Sequence, residues 1–203
     1  PRVNMTPPYL VGIDIGTSSA KAVVVDRDGK LLSWSGHEYP IRSLHPGWAE
    51  EDPADWLAAV TASCSEAVGQ AGIDPHAVAG VGLAGQMHSL VCLDWRGEPL
   101  RPAILWADQR SASQVKALVS QIGRERLAEW TGNPLSTGFM LASWMWLKEH
   151  EPHAARDTRL LMLAKDYVRF RMTGNAGSEP SDASSTLLFN PHNQRWATPL
   201  LEM

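Results

Sequence analysis

The 203-residue sequence has little cysteine, no long apolar run and no surplus of positive charge, and each shortage removes a class of protein. Its 2 cysteines, Cys64 and Cys92, are not spaced as C-x-x-C, so neither a zinc ribbon nor a thioredoxin-type redox site is available. Both are expected as buried small hydrophobes, not as a disulfide. No apolar stretch approaches the roughly 20 residues that a membrane-spanning helix needs. The first apolar run, Tyr9-Leu10-Val11-Gly12-Ile13, is stopped by Asp14, which argues against a secretory leader and makes the cytoplasm the default location. Lys and Arg number 18 against 22 Asp and Glu, for a net charge of −4. Neither nucleic acid nor an anionic membrane therefore has a global electrostatic claim on the chain. His150-Glu151-Pro152-His153 has the wrong spacing for a zinc-binding helix, and no G-x-S-x-G nucleophile elbow exists.

What remains is an ordinary globular composition, 44% hydrophobic and 20% charged, with length enough for one sizeable core. Tyr9–Ile15, Ala20–Asp26 and Leu31–Tyr39 read as strands joined by short links, so the first two are antiparallel. A helix follows Asp52-Pro53, with Trp56, Ala59, Val60, Ser63 and Ala67 on its core-facing stripe. Val78–Ala84 is a fourth strand, and Leu90–Asp94 with Pro99–Leu105 reads as a hairpin about Trp95-Arg96-Gly97-Glu98. Helical patterns cover Ser113–Val119, Arg124–Trp130, Phe139–Leu147 (apolar nearly all round) and Lys165–Met172, before a strand at Thr186–Asn190. Strands first and helices later give an α/β fold with a mixed sheet that starts as an antiparallel hairpin and is flanked by helices.

Asp14-Ile15-Gly16-Thr17-Ser18 is the segment richest in chemistry. An Asp ends an apolar strand, where burial is expensive unless the carboxylate is paired or metal-linked. A glycine turn with Thr and Ser then offers backbone N–H groups. Such a turn is either a plain hairpin corner or an anion nest beside a carboxylate that holds a hydrated Mg²⁺, as a nucleotide polyphosphate requires. The P-loop and dinucleotide glycine motifs are both missing, and both need a helix where this chain has a strand. Gln86-Met87-His88 follows another strand end; it is either a satisfied loop or a set of directional groups for a polyhydroxylated ligand. Asp108 either caps the next helix or pairs with Arg110. Ser181–Ser185 reads as an ordinary polar loop.

In this order, Val11-Gly12-Ile13-Asp14-Ile15-Gly16-Thr17-Ser18, His45-Pro46-Gly47-Trp48-Ala49-Glu50 and Ala84-Gly85-Gln86-Met87-His88 resemble the N-terminal domain of the FGGY carbohydrate kinases. Arg101–Trp106, Lys165-Asp166-Tyr167, Arg171–Gly174 and Ser181-Asp182-Ala183 continue the likeness, which is greatest to the xylulokinases. The resemblance implies an actin-like, ribonuclease-H-like fold that binds sugar on this domain and ATP mainly on a second one. It implies that Asp14 organises Mg²⁺ and the transferred phosphate, that Gly16, Thr17 and Ser18 face the phosphates, and that Gln86, Met87 and His88 lie against D-xylulose. Gluconate kinases of the family share Met-His, and Ala107 fits them as well; the ribulose and glycerol classes are further alternatives. Met140 and Ser143 depart from the family signature. In the family the catalytic base is an Asp downstream of the Ser-Asp-Ala loop, and Asp182 does not take that role.

The resulting expectations are an unstructured or cloning-derived lead at residues 1–8, with Met5 a plausible natural start. Residues 9–203 then form a sugar-side domain cut before the base and the ATP domain, inactive alone and prone to homodimerise. A non-catalytic binding module that keeps the fold is the alternative from another class.

Overall fold

Period-two alternation organises the first strands of the chain, whose residues 9–202 are described by a computed structural model. The expectation for residues 1–8 lies outside the described residues. The chain divides into two units. The first runs to Pro40 and resumes over Ala54–Gln86; the second comprises Ile41–Pro53 and everything from Met87 onward.

In the first unit β1 (Tyr9–Ile15), β2 (Ser19–Asp26) and β3 (Leu31–Glu38) form the expected antiparallel meander. The link between β2 and β3 is closed by Asp26, whose carboxylate accepts the Asp28 and Lys30 amides at 2.9 Å each. After β4 (Glu50–Glu51), which belongs to the second unit, comes α1 (Pro53–Ala71), with Pro53 at its first position. β5 (Val78–Gly85) then returns parallel to β1, giving the sheet order β3-β2-β1-β5.

Val11, Ile13, Ile15, Ala20, Ala22 and Val24 are buried on one face of this sheet, and the whole predicted stripe of α1 is buried too. The Ser33 hydroxyl donates to the Ala67 carbonyl at 2.6 Å, and Ser63 donates to that of Ala20 at 3.2 Å. Helix and sheet are thereby locked in register, with the few polar groups in the layer satisfied.

The second unit is built differently. The arms that carry β6 (Val91–Leu93) and β7 (Ala103–Ile104) pair antiparallel but irregularly, through the Leu90–Ile104 and Leu93–Pro99 bridges and the Leu100 amide, which donates to the Cys92 carbonyl at 2.9 Å. The main partner of β7 is β4. The expected hairpin is present, and each arm also takes a further partner, β4 for β7 and Leu160–Met162 for β6. The turn between its arms is real, with Asp94 accepting the Arg96 and Glu98 amides. However, Val91, Cys92 and Leu93 are buried throughout, and such a run needs neighbours beyond its own turn.

The helices α2 (Ala112–Ile122), α3 (Arg124–Thr131), α4 (Met140–His150) and α5 (Pro152–Asp157) follow. Next come β8 (Leu160–Met162), the ladder partner of β6, and then α6 (Ala164–Thr173) and α7 (Pro180–Ser184). β9 (Phe189–Asn190), β10 (Arg195–Trp196) and α8 (Thr198–Leu201) close the described chain.

The all-round apolarity of α4 has a simple cause: Leu141 joins one apolar cluster with Leu118, Leu127 and Leu187, while Met140, Trp146 and Leu147 join another with Leu90, Cys92 and Leu163. The strand expected over Thr186–Asn190 shrinks to its last two residues. Thr186 instead bonds back to the Ala183 carbonyl, and Leu187 takes a positive φ of 60°. Cys92 is buried and Cys64 half-buried, and both are free. Burial pushes the Cys92 thiol up to about 12. Among the described residues no helix is long and apolar enough to cross a membrane.

Candidate functional site

Asp14 faces Lys21 across the β1–β2 ladder and Ala84 across the parallel β1–β5 ladder. Strand alternation places it opposite Ile13 and Ile15, and it is exposed. The argument from a costly buried carboxylate is therefore corrected: Asp14 lies on the open side of the sheet, free to meet a ligand or solvent.

The turn that follows is tight. The Gly16 amide donates to the Ser19 carbonyl at 3.0 Å, the Gly16 carbonyl accepts the Tyr39 hydroxyl at 2.5 Å, and the Tyr39 amide donates to Ser18 at 3.1 Å. A Cβ on Gly16 would lie 3.1 Å from the Ser19 carbonyl oxygen, so glycine fits where another residue would crowd the turn. The Gly16 amide thus closes the turn and is not aimed at a phosphate.

Among the described residues no group of three or more His, Cys, Asp or Glu could hold a metal ion. One exposed carboxylate still suits Mg²⁺, which keeps most of its waters and shares substrate phosphates.

Gln86 is buried at the end of the first unit, its amide extending the β1–β5 pairing by donating to Ile15 at 2.7 Å. Met87, which opens the second unit, is 44% exposed. His88 adopts φ 66°, a left-handed conformation uncommon for a residue with a side chain. Its amide donates to Ser185 Oγ at 3.3 Å, its Nδ1 lies 3.0 Å from the Ser185 carbonyl oxygen, and its ring lies 3.9 Å from that of Phe139. Burial holds the imidazole below its ordinary pKa, with the bond to Ser185 opposing.

Ser185 ends α7, whose start is capped by the Glu179 carboxylate through the Ser181 and Asp182 amides at 2.8 and 2.9 Å. The Lys165 ammonium on α6 reaches Asp166 at 2.7 Å, Asp182 at 3.3 Å and Glu179 at 3.8 Å. Burial opposes its charge, yet Asp166 and Asp182 outweigh that and raise its pKa. Burial pushes the Asp182 carboxyl above its ordinary range, with Asp166 and Glu179 adding to the rise and Lys165 pulling against it.

Sequence reasoning took Ser181–Ser185 for a plain loop. The signal it passed over is Glu179-Pro180, a capping acid followed by Pro at the first helical position.

A second polar cluster surrounds Arg110, which is 1% exposed. Arg110 bonds Asp108 at 2.8–3.0 Å and Glu50 at 2.7 Å and lies 3.6 Å over the Trp48 ring. Of the two alternatives for Asp108, the structure shows the pairing with Arg110; α2 has no side-chain cap. Arg101 joins through Glu50 at 2.5 Å and Glu151 at 2.9 Å.

Residues 9–203 match the model of the FGGY family of carbohydrate kinases, N-terminal domain. The chain belongs to the FGGY family. A xylulose kinase from Bacillus subtilis is 37% identical over 95% of this chain, and a xyloylose kinase structure from Brucella ovis superposes with TM-score 0.89 at 31% identity over 96% of it. A gluconate kinase structure from Lactobacillus acidophilus reaches TM-score 0.90 at 28% identity, also over 96%. The chain spans 38%, 40% and 39% of these three proteins, respectively. The FGGY domain has the actin-like α/β fold expected from its sequence, with the mixed sheet and flanking helices seen here.

Proposed function

We propose that this chain is the sugar-binding half of an ATP-dependent kinase that phosphorylates the 5-hydroxyl of D-xylulose to give D-xylulose 5-phosphate. The observation that carries this reading is the Met87-His88 turn, with Met87 exposed and His88 held by Ser185 and Phe139, in a chain 37% identical to a xylulose kinase. Met87 and His88 lie against the ketose. Gln86, buried and bonded through its amide to Ile15, supports the end of β5 more than it touches the sugar. Asp14 helps to hold Mg²⁺, which supplies charge neutralisation for the transferred phosphate. Thr17 and Ser18 face the phosphates, and Gly16 shapes their turn.

ATP binds mainly to a second domain. The proton acceptor is assigned to no residue of this chain, because Asp182 is engaged by Lys165. The protein works in the cytoplasm as a homodimer; the exposed Leu10, Leu31, Trp34 and Val81 of the first unit support self-association. Transfer is a matter of positioning and electrostatics.

A gluconate kinase reading is favoured by the Lactobacillus acidophilus structure and by Ala107. Coupled ADP-release kinetics on the complete gene product decide between the two. D-xylulose is expected to exceed gluconate in kcat/KM by roughly tenfold or more. Gluconate preference, or no sugar-dependent turnover, would refute the xylulose assignment.

A further inference from the structure

The His88 ring is fixed on several sides by Ser185 and Phe139, and the chemistry of one contact decides where its hydrogen sits. Nδ1 lies 3.0 Å from the Ser185 carbonyl oxygen, which has no hydrogen to give, so Nδ1 carries the hydrogen and donates it. With one hydrogen on the ring, Nε2 is a bare lone pair, and among the described residues no hydrogen bond engages it. Free imidazole rings exchange between two tautomers; here the neighbour of one nitrogen dictates the state of the other.

The Ser185 carbonyl is itself held in place. The Ser185 amide donates to the Asp182 carbonyl at 3.0 Å within the α7 turn. Asp182 is tied to Lys165 at 3.3 Å, and Lys165 to Asp166 of α6 at 2.7 Å. Glu179 caps the other end of the same turn. The short helix that carries Ser185 is thus anchored from a longer helix by an ammonium beside three carboxylates.

We propose that Ser185 is a positioning residue which, anchored through Asp182 and Lys165, keeps the His88 hydrogen on Nδ1 and leaves Nε2 an obligate acceptor, so that the ligand group read at this point is a hydroxyl that donates. The proposal deepens the sugar-kinase reading and rests on it for the identity of the ligand. A ketose hydroxyl satisfies the lone pair. A carboxylate or carbonyl oxygen has no hydrogen to offer it and is repelled, which sets a sugar hydroxyl apart from the acid end of an aldonate at this contact. The lowered pKa of His88 agrees with a ring that keeps a single hydrogen near neutral pH.

Long-range ¹H–¹⁵N correlation spectra of the ¹⁵N-labelled 203-residue chain at pH 7.5 test this directly. His88 is expected to show the Nδ1–H pattern, against the Nε2–H preference of exposed histidines such as His76. An Nε2–H pattern, or an average of the two, would overturn the proposal whatever sugar does. Lys165→Met is expected to move His88 toward a tautomer mixture and Lys165→Arg to restore it; an unchanged Nδ1–H pattern in Lys165→Met would overturn the anchoring role. Added D-xylulose is expected to shift Nε2 alone while the Nδ1–H pattern persists. Persistence of that pattern with no response to D-xylulose supports the tautomer lock and counts against the sugar reading.

Discussion

Two polar clusters of the second unit use similar residues to opposite ends. Around Arg110, two guanidinium groups meet Glu50, Asp108 and Glu151, and Arg110 lies against Trp48 and Trp146 at 3.6 and 4.9 Å. Around Lys165, one ammonium meets three carboxylates, and the carboxyl of Asp182 is raised. A guanidinium does not lose its proton in a protein, and its planar fork fixes the angle at which carboxylates approach. The first cluster therefore has fixed charge and fixed geometry, which suits a brace between β4, the turn before α2 and the end of α4. The second sets one ammonium against three carboxylates, a larger negative excess than two guanidiniums against three, and its Asp182 lies one turn from Ser185, the partner of His88, so its protonation can follow its surroundings. The lesson is that burial of charge alone does not mark a functional site; the balance of the charges and their distance from an unsatisfied ligand group do.

The sharpest way to break the comparison is to remove its fixed half. Arg110→Ala leaves Asp108 and Glu50 buried with less compensation and strips the cation from two indole rings. Breaking a buried ion pair from one side costs about 3–5 kcal/mol. Urea denaturation of the chain is expected to show a loss of that order. A loss under about 1 kcal/mol would mean that the cluster is ornamental and that the contrast drawn here has no energetic content.

Removing the cation of the adjustable half is expected to matter less. Lys165→Met leaves Asp166, Asp182 and Glu179 facing one another, but a carboxyl that is already raised can take up a proton. A loss of about 2 kcal/mol near neutral pH is expected from the unpaired polar groups. The direction with pH follows from Asp182. Its folded pKa lies above the ordinary value of 3.8, so the stability linked to its protonation is present below 3.8 and is lost as pH rises through the folded value. In Lys165→Met that folded value rises further, and the deficit against the parent should shrink as pH is lowered from 7 toward 5. Equal deficits at both pH values would contradict the assignment of this cluster as adjustable.

Much of this was legible before any coordinates. The meander, the Pro53 start of α1 and its entire buried stripe follow from alternation and from helical spacing, because each depends on residues near one another in sequence. The Met87-His88 turn was legible as a candidate for the same reason. What escaped were partnerships made at long range. The β4–β7 and β6–β8 ladders join segments whose local pattern also fits a hairpin, and no periodicity distinguishes them. Ser185 lies 97 residues from His88, and nothing in Ser181–Ser185 announces a contact with it. Asp14 was misjudged in burial because an apolar strand with one open face looks, in sequence, like a strand enclosed on both sides.

The finest test of the comparison lies in His88 itself, where the adjustable cluster meets the proposed sugar. Its pKa is lowered below 6.5, first by burial. A depressed folded value means that its contribution to stability is present above 6.5 and is lost as pH falls through the folded value. The parent chain should therefore weaken between pH 7.5 and pH 5.5 by an increment that His88→Asn lacks, asparagine being a residue that tolerates a positive φ. The increment is expected to stay below about 1 kcal/mol, since the ring is half-buried and solvent screens its charge. The other six histidines are common to both proteins and cancel in the difference. Parallel pH profiles for the two would place the His88 ring in open solvent, and Ser185 would then have nothing to hold.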